Sequence, residues 1–476
     1  MHNFPKSKLN DADRRKRRLA WRNEFNLYKT VCAQTAKPVI SMYKPNSPFP
    51  IYSAEAWFGD AWDALDYGQD FDFNRPFFEQ FLELQNKVPR LSNITVNSEN
   101  SDFCNIVGDC RNCYFLFGSV NCEDCMYGSP YSSKNCIDTL GIKDCSYCYE
   151  CVDCTGLYEC FYCQNCNNSS NLEYCFDVSG SKNCFLSVGL RKAEFCILNK
   201  KYSKDEYIAK VAELKKKSPE ELLAILNEFK PTVPVKNLEG LQNENVLGDH
   251  VNNSKNCSNV FNVNDSQNIY NSTQILSCND CSQADFGEYS SFVYESSGFY
   301  KCHNVAFTHW CWEISDCLYS SVCYGATKDC FGCIGLNKKQ YCILNKQYSK
   351  EEYEELLPKI IEHMKRTGEW GEFFPIENSP FDYSDSLAEL YFPSTQANLQ
   401  KKDFIITTQE KMFYQKFALP EPLLDPVLRH KKRISMRNSH VFHQRNCAKC
   451  AKMVYSTYSP AQPQIIYCED CYLQNL

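Results

Sequence analysis

Cysteines recur nine residues apart along one long stretch and at spacings near twenty along a second, and this spacing constrains the chain more than any other feature. In the first stretch the pairs are Cys104 and Cys113, Cys113 and Cys122, Cys136 and Cys145, Cys145 and Cys154, Cys166 and Cys175, and Cys175 and Cys184. They sit in strand-like phrases such as Asn112-Cys-Tyr-Phe115, Asn135-Cys-Ile137, Asp153-Cys154 and Tyr174-Cys-Phe176. Two strides predict a coil of roughly 18–21 residues, the length of a solenoid repeat. Cys136, Cys154, Cys175 and Cys196 would then form one ladder, because coils stacked ~4.8 Å apart lay like side chains over like. A second stretch, from about Asn252 to Lys346, carries Cys281, Cys302, Cys323 and Cys342 at coil spacing.

Closer runs raise a metal-binding alternative: Cys145, Cys148, Cys151 and Cys154, then Cys160, Cys163 and Cys166. Residues three apart on an extended strand face opposite ways. No glycine follows these pairs to turn the chain, and aromatics (Tyr147, Tyr149, Phe161, Tyr162) interleave. A packed thiol ladder is therefore expected here, with further metal as the alternative.

The two stretches are copies. Displaced by 146 residues, Lys182-Asn-Cys-Phe185 meets Lys328-Asp-Cys-Phe331, and Cys196-Ile-Leu-Asn-Lys200 meets Cys342-Ile-Leu-Asn-Lys346. Each is followed by a capped helix. Ser203-Lys-Asp-Glu206 and Ser218-Pro-Glu-Glu221 are capping boxes, and Gly368 is placed as the C-cap of a helix ending near Thr367. Such a helix would hide the open edge of the last coil. Phe77, Phe78, Phe81 and Leu82 predict a further docking helix near Arg75–Lys87.

At the C-terminus, Cys447-Ala-Lys-Cys450 and Cys468-Glu-Asp-Cys471 have the spacing of a zinc ribbon. Four thiolates close a tetrahedral site with no open position, so a structural Zn2+ is expected. Displaced by 415 residues, Arg14–Trp57 falls on Arg429–Tyr472. Cys32 lands on Cys447, but Thr35, Ser53 and Ala56 stand where Cys450, Cys468 and Cys471 stand. The N-terminal copy is thus read as a ribbon that keeps its hairpin without metal, held by apolar residues and Trp57.

The fold class expected is mainly β: two tandem parallel β-solenoid (β-helix-like) halves, each closed by a helix, flanked by a degenerate N-terminal ribbon and a C-terminal zinc ribbon. The segments are 1–57 (degenerate ribbon with basic segment), 58–98 (acidic and aromatic linker with docking helix), 99–201 (first solenoid) and 202–235 (helical cap). They continue as 236–347 (second solenoid), 348–402 (helical cap and connector) and 403–476 (basic segment and zinc ribbon).

Both ribbons follow basic runs: Arg14, Arg15, Lys16, Arg17, Arg18 and Arg22, and then Arg429, Lys431, Lys432, Arg433 and Arg437. On a chain of net charge −7 such runs are either solvated faces or phosphate-binding patches. RNA or a ribonucleoprotein is the partner they suggest; a protein bound along the solenoid is the alternative. Met1–Arg18 lacks the apolar core of a signal peptide and no apolar run spans a bilayer. No membrane association is expected. With the odd count of 31 cysteines, a reducing cytoplasm is the expected location. No P-loop, dinucleotide fingerprint, G-x-S-x-G or H-E-x-x-H appears, so an enzyme is the least favoured class. Cys302-His303 through His309-Trp-Cys-Trp312 is the one local oddity: either a second metal or ligand site, or a coil whose aromatics pack under the neighbouring helix.

The phrases Arg18-Leu-Ala-Trp-Arg-Asn23, Asp70-Phe-Asp-Phe-Asn-Arg-Pro-Phe-Phe-Glu-Gln80, Asn243-Glu-Asn245, Cys342-Ile-Leu-Asn-Lys346 and Gly368-Glu-Trp-Gly-Glu-Phe-Phe-Pro375 carry a resemblance over nearly the whole chain. It resembles an uncharacterised Cys-rich, zinc-ribbon-containing family of the candidate phyla radiation (Patescibacteria). The resemblance implies further ribbons, but Asn10, Asp13, Ser53, Ala56, Asp425 and Leu428 stand where it would place cysteines. Only Cys447, Cys450, Cys468 and Cys471 carry over as a zinc site. It implies architecture and no activity; a CoA-transferase label borne by some relatives finds no supporting residues here.

Overall fold

The structure is a computed structural model that describes residues 4–394 and 404–475. The chain is mainly strand and divides into two units, residues 1–93 with 239–397, and residues 94–238 with 398–476. Each unit joins one terminal ribbon to the cysteine-rich stretch from the other half of the sequence. The boundary expected between 402 and 403 lies outside the described residues.

Each unit is built on a long sheet whose strands pair in parallel. The sheet has 12 strands in the first unit and 10 in the second. In both, the final strand turns back antiparallel: Lys346–Gln347 on Gln340–Ile343, and Lys200–Lys201 on Glu194–Ile197. The pairing advances by 12 residues for most strands, with steps of 11 or 13 at a few. Lys255 pairs with Gln267, Gln267 with Asn279, Asn279 with Ser291, and Ser291 with His303. In the second unit Thr155 pairs with Asn167, Asn167 with Ser179, and Ser179 with Arg191. The expected coil of roughly 18–21 residues is therefore corrected to 12.

The cause is a backbone feature that recurs every third residue. Asn253, Asn256, Asn259, Asn262, Asp265, Asn268 and Asn271 all have positive φ, between 49° and 57°. Asn and Asp tolerate this left-handed region because their short polar side chains bond locally. Each such residue turns a corner, and the side chain after it points into the core. Four corners return the chain to the next strand. The amides at the corners also bond their neighbours one strand on: Asn245 Nδ2 donates to Asn256 Oδ1 (3.1 Å), Asn256 to Asn268 (3.3 Å) and Asn268 to Asp280 (2.9 Å).

This geometry overturns the argument that residues three apart must face opposite ways. Asp144, Tyr147, Glu150 and Asp153 all have positive φ. The residues that follow them, Cys145, Cys148, Cys151 and Cys154, all enter one buried core. Non-glycine residues make the turns that glycine was expected to make. The ladder partners change as well. Cys184 pairs with Cys196, and Cys317 with Cys330 and then Cys342; Cys136, Cys154, Cys175 and Cys196 do not form one column. Residues nine apart are also neighbours across the core. Each thiol donates to the carbonyl two residues back, and often also to the carbonyl nine residues on, as Cys136 does to Lys134 (3.2 Å) and Cys145 (3.6 Å). No described cysteine forms a disulfide. Burial pushes the Cys104 and Cys302 thiols up to about 12, so they stay protonated and behave as small apolar groups.

The helices follow their sequence signals. Lys204–Leu214 and Pro219–Phe229 carry complete capping boxes at Ser203/Glu206 and Ser218/Glu221. Lys350–Thr367 begins at Ser349 with a third box and ends at Gly368 with φ 76°, the left-handed closure that favours glycine. The docking helix is Phe77–Lys87, and it buries Phe77 and Phe81 against Tyr319, Phe331 and Phe374. No helix among the described residues is long and apolar enough to cross a membrane.

Candidate metal centre

The C-terminal ribbon begins with a hairpin, His443–Asn446 against Met453–Ser456. Between these strands, Cys447 N donates to Lys452 O and Ala451 N donates to Cys447 O, with Ala451 at φ 61°. That tight turn aims Cys447 and Cys450 at one point. The second knuckle follows the short strand Ile466–Tyr467, where Cys468 starts the helix Glu469–Leu473 that carries Cys471. The strand Ile466–Tyr467 is itself held by parallel pairing with Val235–Lys236.

The four Sγ atoms lie within 4.8 Å of one another, the sole such cluster of metal-ligating groups among the described residues. Cys450 Sγ and Cys468 Sγ are 3.7 Å apart. A tetrahedral metal with bonds of about 2.3 Å to sulfur places its ligands ~3.8 Å apart, so the residues fit a metal ion. Electrostatics agree. Burial raises the Cys447 thiol, but the backbone N–H groups of Cys468, Cys450 and Lys449 outweigh it and bring it down to about 6. Hydrogen bonding with Cys468, together with burial and the other two sulfurs, holds Cys471 up to about 12. Four crowded sulfurs thus keep a proton that a cation would displace.

The N-terminal copy repeats the hairpin bond for bond. Tyr28–Val31 pairs with Pro38–Ser41, Cys32 N donates to Lys37 O, Ala36 N donates to Cys32 O, and Ala36 has φ 56°. Its strand Ile51–Tyr52 pairs with Arg90–Leu91 as Ile466–Tyr467 does with Val235–Lys236. Hydrogen bonds stand where the metal would be. Ser53 N donates to Cys32 Sγ (3.3 Å), and Ser53 Oγ caps the next helix through Ala56 N (3.2 Å). Trp57 is buried against Trp62, with ring centroids 4.7 Å apart.

The basic runs lie elsewhere than on a phosphate-binding face. Arg14, Arg17 and Arg18 extend from the helix Asp11–Ala20 and are buried. Arg18 Nε donates to Asp285 (2.8 Å) and Nη1 to Glu295 (3.2 Å), while Arg14 also pairs with Glu295 and Arg15 approaches Asp285. Arg17 reaches Glu372 at 2.9 Å. The helix Pro426–Ser435 uses the same positions. Arg429 pairs with Asp138, Arg433 with Asp138 (2.9 Å) and Glu150 (3.2 Å), and Arg437 with Asp153 through two bonds of 2.9 and 2.5 Å. Burial raises the Glu150 carboxyl, a rise that Arg433 opposes. These arginines clasp each terminal helix to its own parallel sheet. Of the residues proposed for nucleic acid, Lys432 alone is fully exposed; Arg15, Lys16, Lys431 and Arg437 are half-buried. The phosphate-binding assignment of Arg14, Arg17, Arg18, Arg429 and Arg433 is therefore corrected: a guanidinium committed to buried carboxylates cannot reach a nucleic-acid backbone, and Arg22, 3% exposed between aromatic rings, is buried away from one. The acceptors Asp285, Glu295, Asp138, Glu150 and Asp153 carried no signal of this role beyond acidity.

A second latch joins the metal centre to its sheet. Tyr472, next to the ligand Cys471, donates to Asp177 (2.5 Å), and Arg191 Nη2 donates to both Tyr472 Oη (2.8 Å) and Asp177 (2.6 Å). The His–Trp segment does not assemble a metal site. Cys302 and Cys311 enter the core, His303 is exposed beside Ser291, and buried His309 packs under Trp21 with centroids 5.5 Å apart. Trp310 lies under Arg22, and Trp312 stacks on Tyr324.

The fold and site define a mainly β chain with one four-cysteine cluster among the described residues that could hold a metal ion. No family model matches this chain, and no curated protein matches it. A crystal structure described as an acetyltransferase from Desulfovibrio desulfuricans G20 is similar over 60% of this chain and 82% of its own, at 10% identity and a TM-score of 0.12. Likeness at that level carries no argument.

Proposed function

We propose that the protein is a non-catalytic scaffold: two β-solenoids of 12-residue coils, each clasped by a terminal arginine helix and a ribbon, the second ribbon holding Zn2+. The observation that carries this reading is the inward commitment of both arginine runs. It makes the basic segments part of the architecture and leaves the outer faces of the coils as the surface for a protein partner. Zinc is the ion of choice because four thiolates without an open position suit a structural, redox-inert cation. A reducing compartment suits the many free, buried thiols.

RNA or a ribonucleoprotein remains the competing partner, resting on Lys431 and Lys432. Binding to RNA and DNA at ~50 and ~200 mM salt separates the two readings. The scaffold reading expects no binding at the lower salt. Salt-steep binding weakened by Lys431→Ala and Lys432→Ala would replace it with the nucleic-acid reading.

A further inference from the structure

In the first unit one column of the parallel sheet is polar and buried along its length: Thr273, Asp285, Ser297, His309 and Ser321. The N-terminal segment covers it. At the Asp285 end the covering arginines meet carboxylates. At the Ser321 end stands Arg90, 1% exposed, whose guanidinium makes one long hydrogen bond among the described residues, from Nη1 to Ser321 Oγ at 3.4 Å. Its Nε and Nη2 have no acceptor, and no carboxylate pairs with it among the described residues. The face of Phe49 lies 5.6 Å away.

A second cation stands against Trp310, the residue after His309. Arg22 is 3% exposed, held between the rings of Phe286 (3.7 Å) and Trp310 (4.2 Å), with Nε on Glu24 and Nη1 without an acceptor. Gly298 allows this fit, since a Cβ there would come 3.0 Å from Trp310 and 3.2 Å from Arg22. His309, whose Nδ1 lies 3.3 Å from Ser321 Oγ, is kept neutral by burial, then by Arg90 and also by Arg22. The Trp310 indole N–H and the Ser297 hydroxyl are also buried without partners. The region therefore holds surplus donors and surplus positive charge.

Arg90 is not required by the strand it occupies. It pairs with Ile51, and the corresponding residue in the second unit, opposite Ile466, is buried Val235. An apolar residue suffices there, and a buried charge without a counter-charge is strongly unfavourable. A guanidinium offers five donors and no acceptor, in a planar fork that matches oxyanions.

We propose that the first unit holds a small tetrahedral oxyanion, phosphate or sulfate, anchored by Arg90 beside Ser321 and His309, with Arg22 as the second charge. The anion would supply the acceptors that the column lacks and balance the charge that Val235 spares the other unit.

The test uses the full chain. Protein purified without phosphate or sulfate buffers is denatured, and released anions are measured by ion chromatography. In parallel, thermal unfolding is followed by tryptophan emission while phosphate, sulfate or chloride is added at matched ionic strength. The proposal expects either stoichiometric release of phosphate or sulfate, or a midpoint that rises by several degrees with one of them and not with chloride. The anion that acts identifies the ligand. Arg90→Met should abolish both effects and be at least as stable as the wild type in chloride. Wild-type protein that releases neither anion and unfolds identically in all three salts overturns the proposal, whether or not the variant folds.

Discussion

Replacing Arg18 with methionine should destabilise the first unit and leave the second unchanged. Methionine keeps most of the side-chain volume and removes the charge. Arg18 donates to Asp285, Glu295 and Gln283 at 2.8, 3.2 and 3.3 Å, and the ion-paired side chains are 0% exposed. Breaking a buried ion pair by removing one partner costs about 3–5 kcal/mol, because the remaining charge is left uncompensated. Here Glu295 keeps Arg14 and Arg17, and Asp285 keeps Arg15 and Thr273. The expected cost therefore sits at the lower end, ~3 kcal/mol, or a midpoint shift of roughly 6–12 °C for a unit of this size. The assay is built into the sequence. All six tryptophans, Trp21, Trp57, Trp62, Trp310, Trp312 and Trp370, belong to the first unit. Tryptophan emission should follow Arg18→Met, while the matched Arg433→Met should appear in far-ultraviolet circular dichroism and tyrosine signals. A cost below about 1 kcal/mol for Arg18→Met, the value of an exposed pair, would refute the clasp and return the basic runs to the surface.

Three further outcomes are expected. Elemental analysis should find about one zinc per chain, and Cys468→Ser should abolish it and unfold the C-terminal ribbon, given that structural zinc in ribbon-like peptides contributes roughly 10–16 kcal/mol; three or more zincs would show that core thiols bind metal. Burial, with Arg433 and Arg437, depresses His430 to about 3, so its stabilising contribution is present above the unfolded value near 6.5 and is lost as pH falls toward 3. Denaturation titrations of the second unit from pH 7 to pH 4 should show that decline, and His430→Leu should flatten it. Asn262, at φ 55°, should tolerate glycine, whereas Asn262→Val should cost about 1–2 kcal/mol; equal stability of the two variants in urea would contradict the corner reading.

Much of this protein was legible because it is encoded locally. The ribbon, its metal-free copy, the capping boxes at Ser203 and Ser218 and the glycine closure at Gly368 depend on residues a few positions apart, where spacing and φ preference decide the outcome. The repeat was visible too, and was misread in length. The Asn and Asp corners at Asn253, Asn256, Asn259 and Asn262 stand every third residue in the sequence. Taking them for ordinary strand residues made cysteines three apart look opposed and doubled a nine-residue stride that is three sides of a 12-residue turn. Only the tertiary structure decided the fate of the basic runs. Arg18 meets an aspartate 267 positions away, and Arg433 a glutamate 283 positions away. An arginine reads the same in sequence whether it faces water, phosphate or a buried carboxylate. Its meaning is set by desolvation and by which acid the fold brings opposite, and neither is a property of the residues beside it.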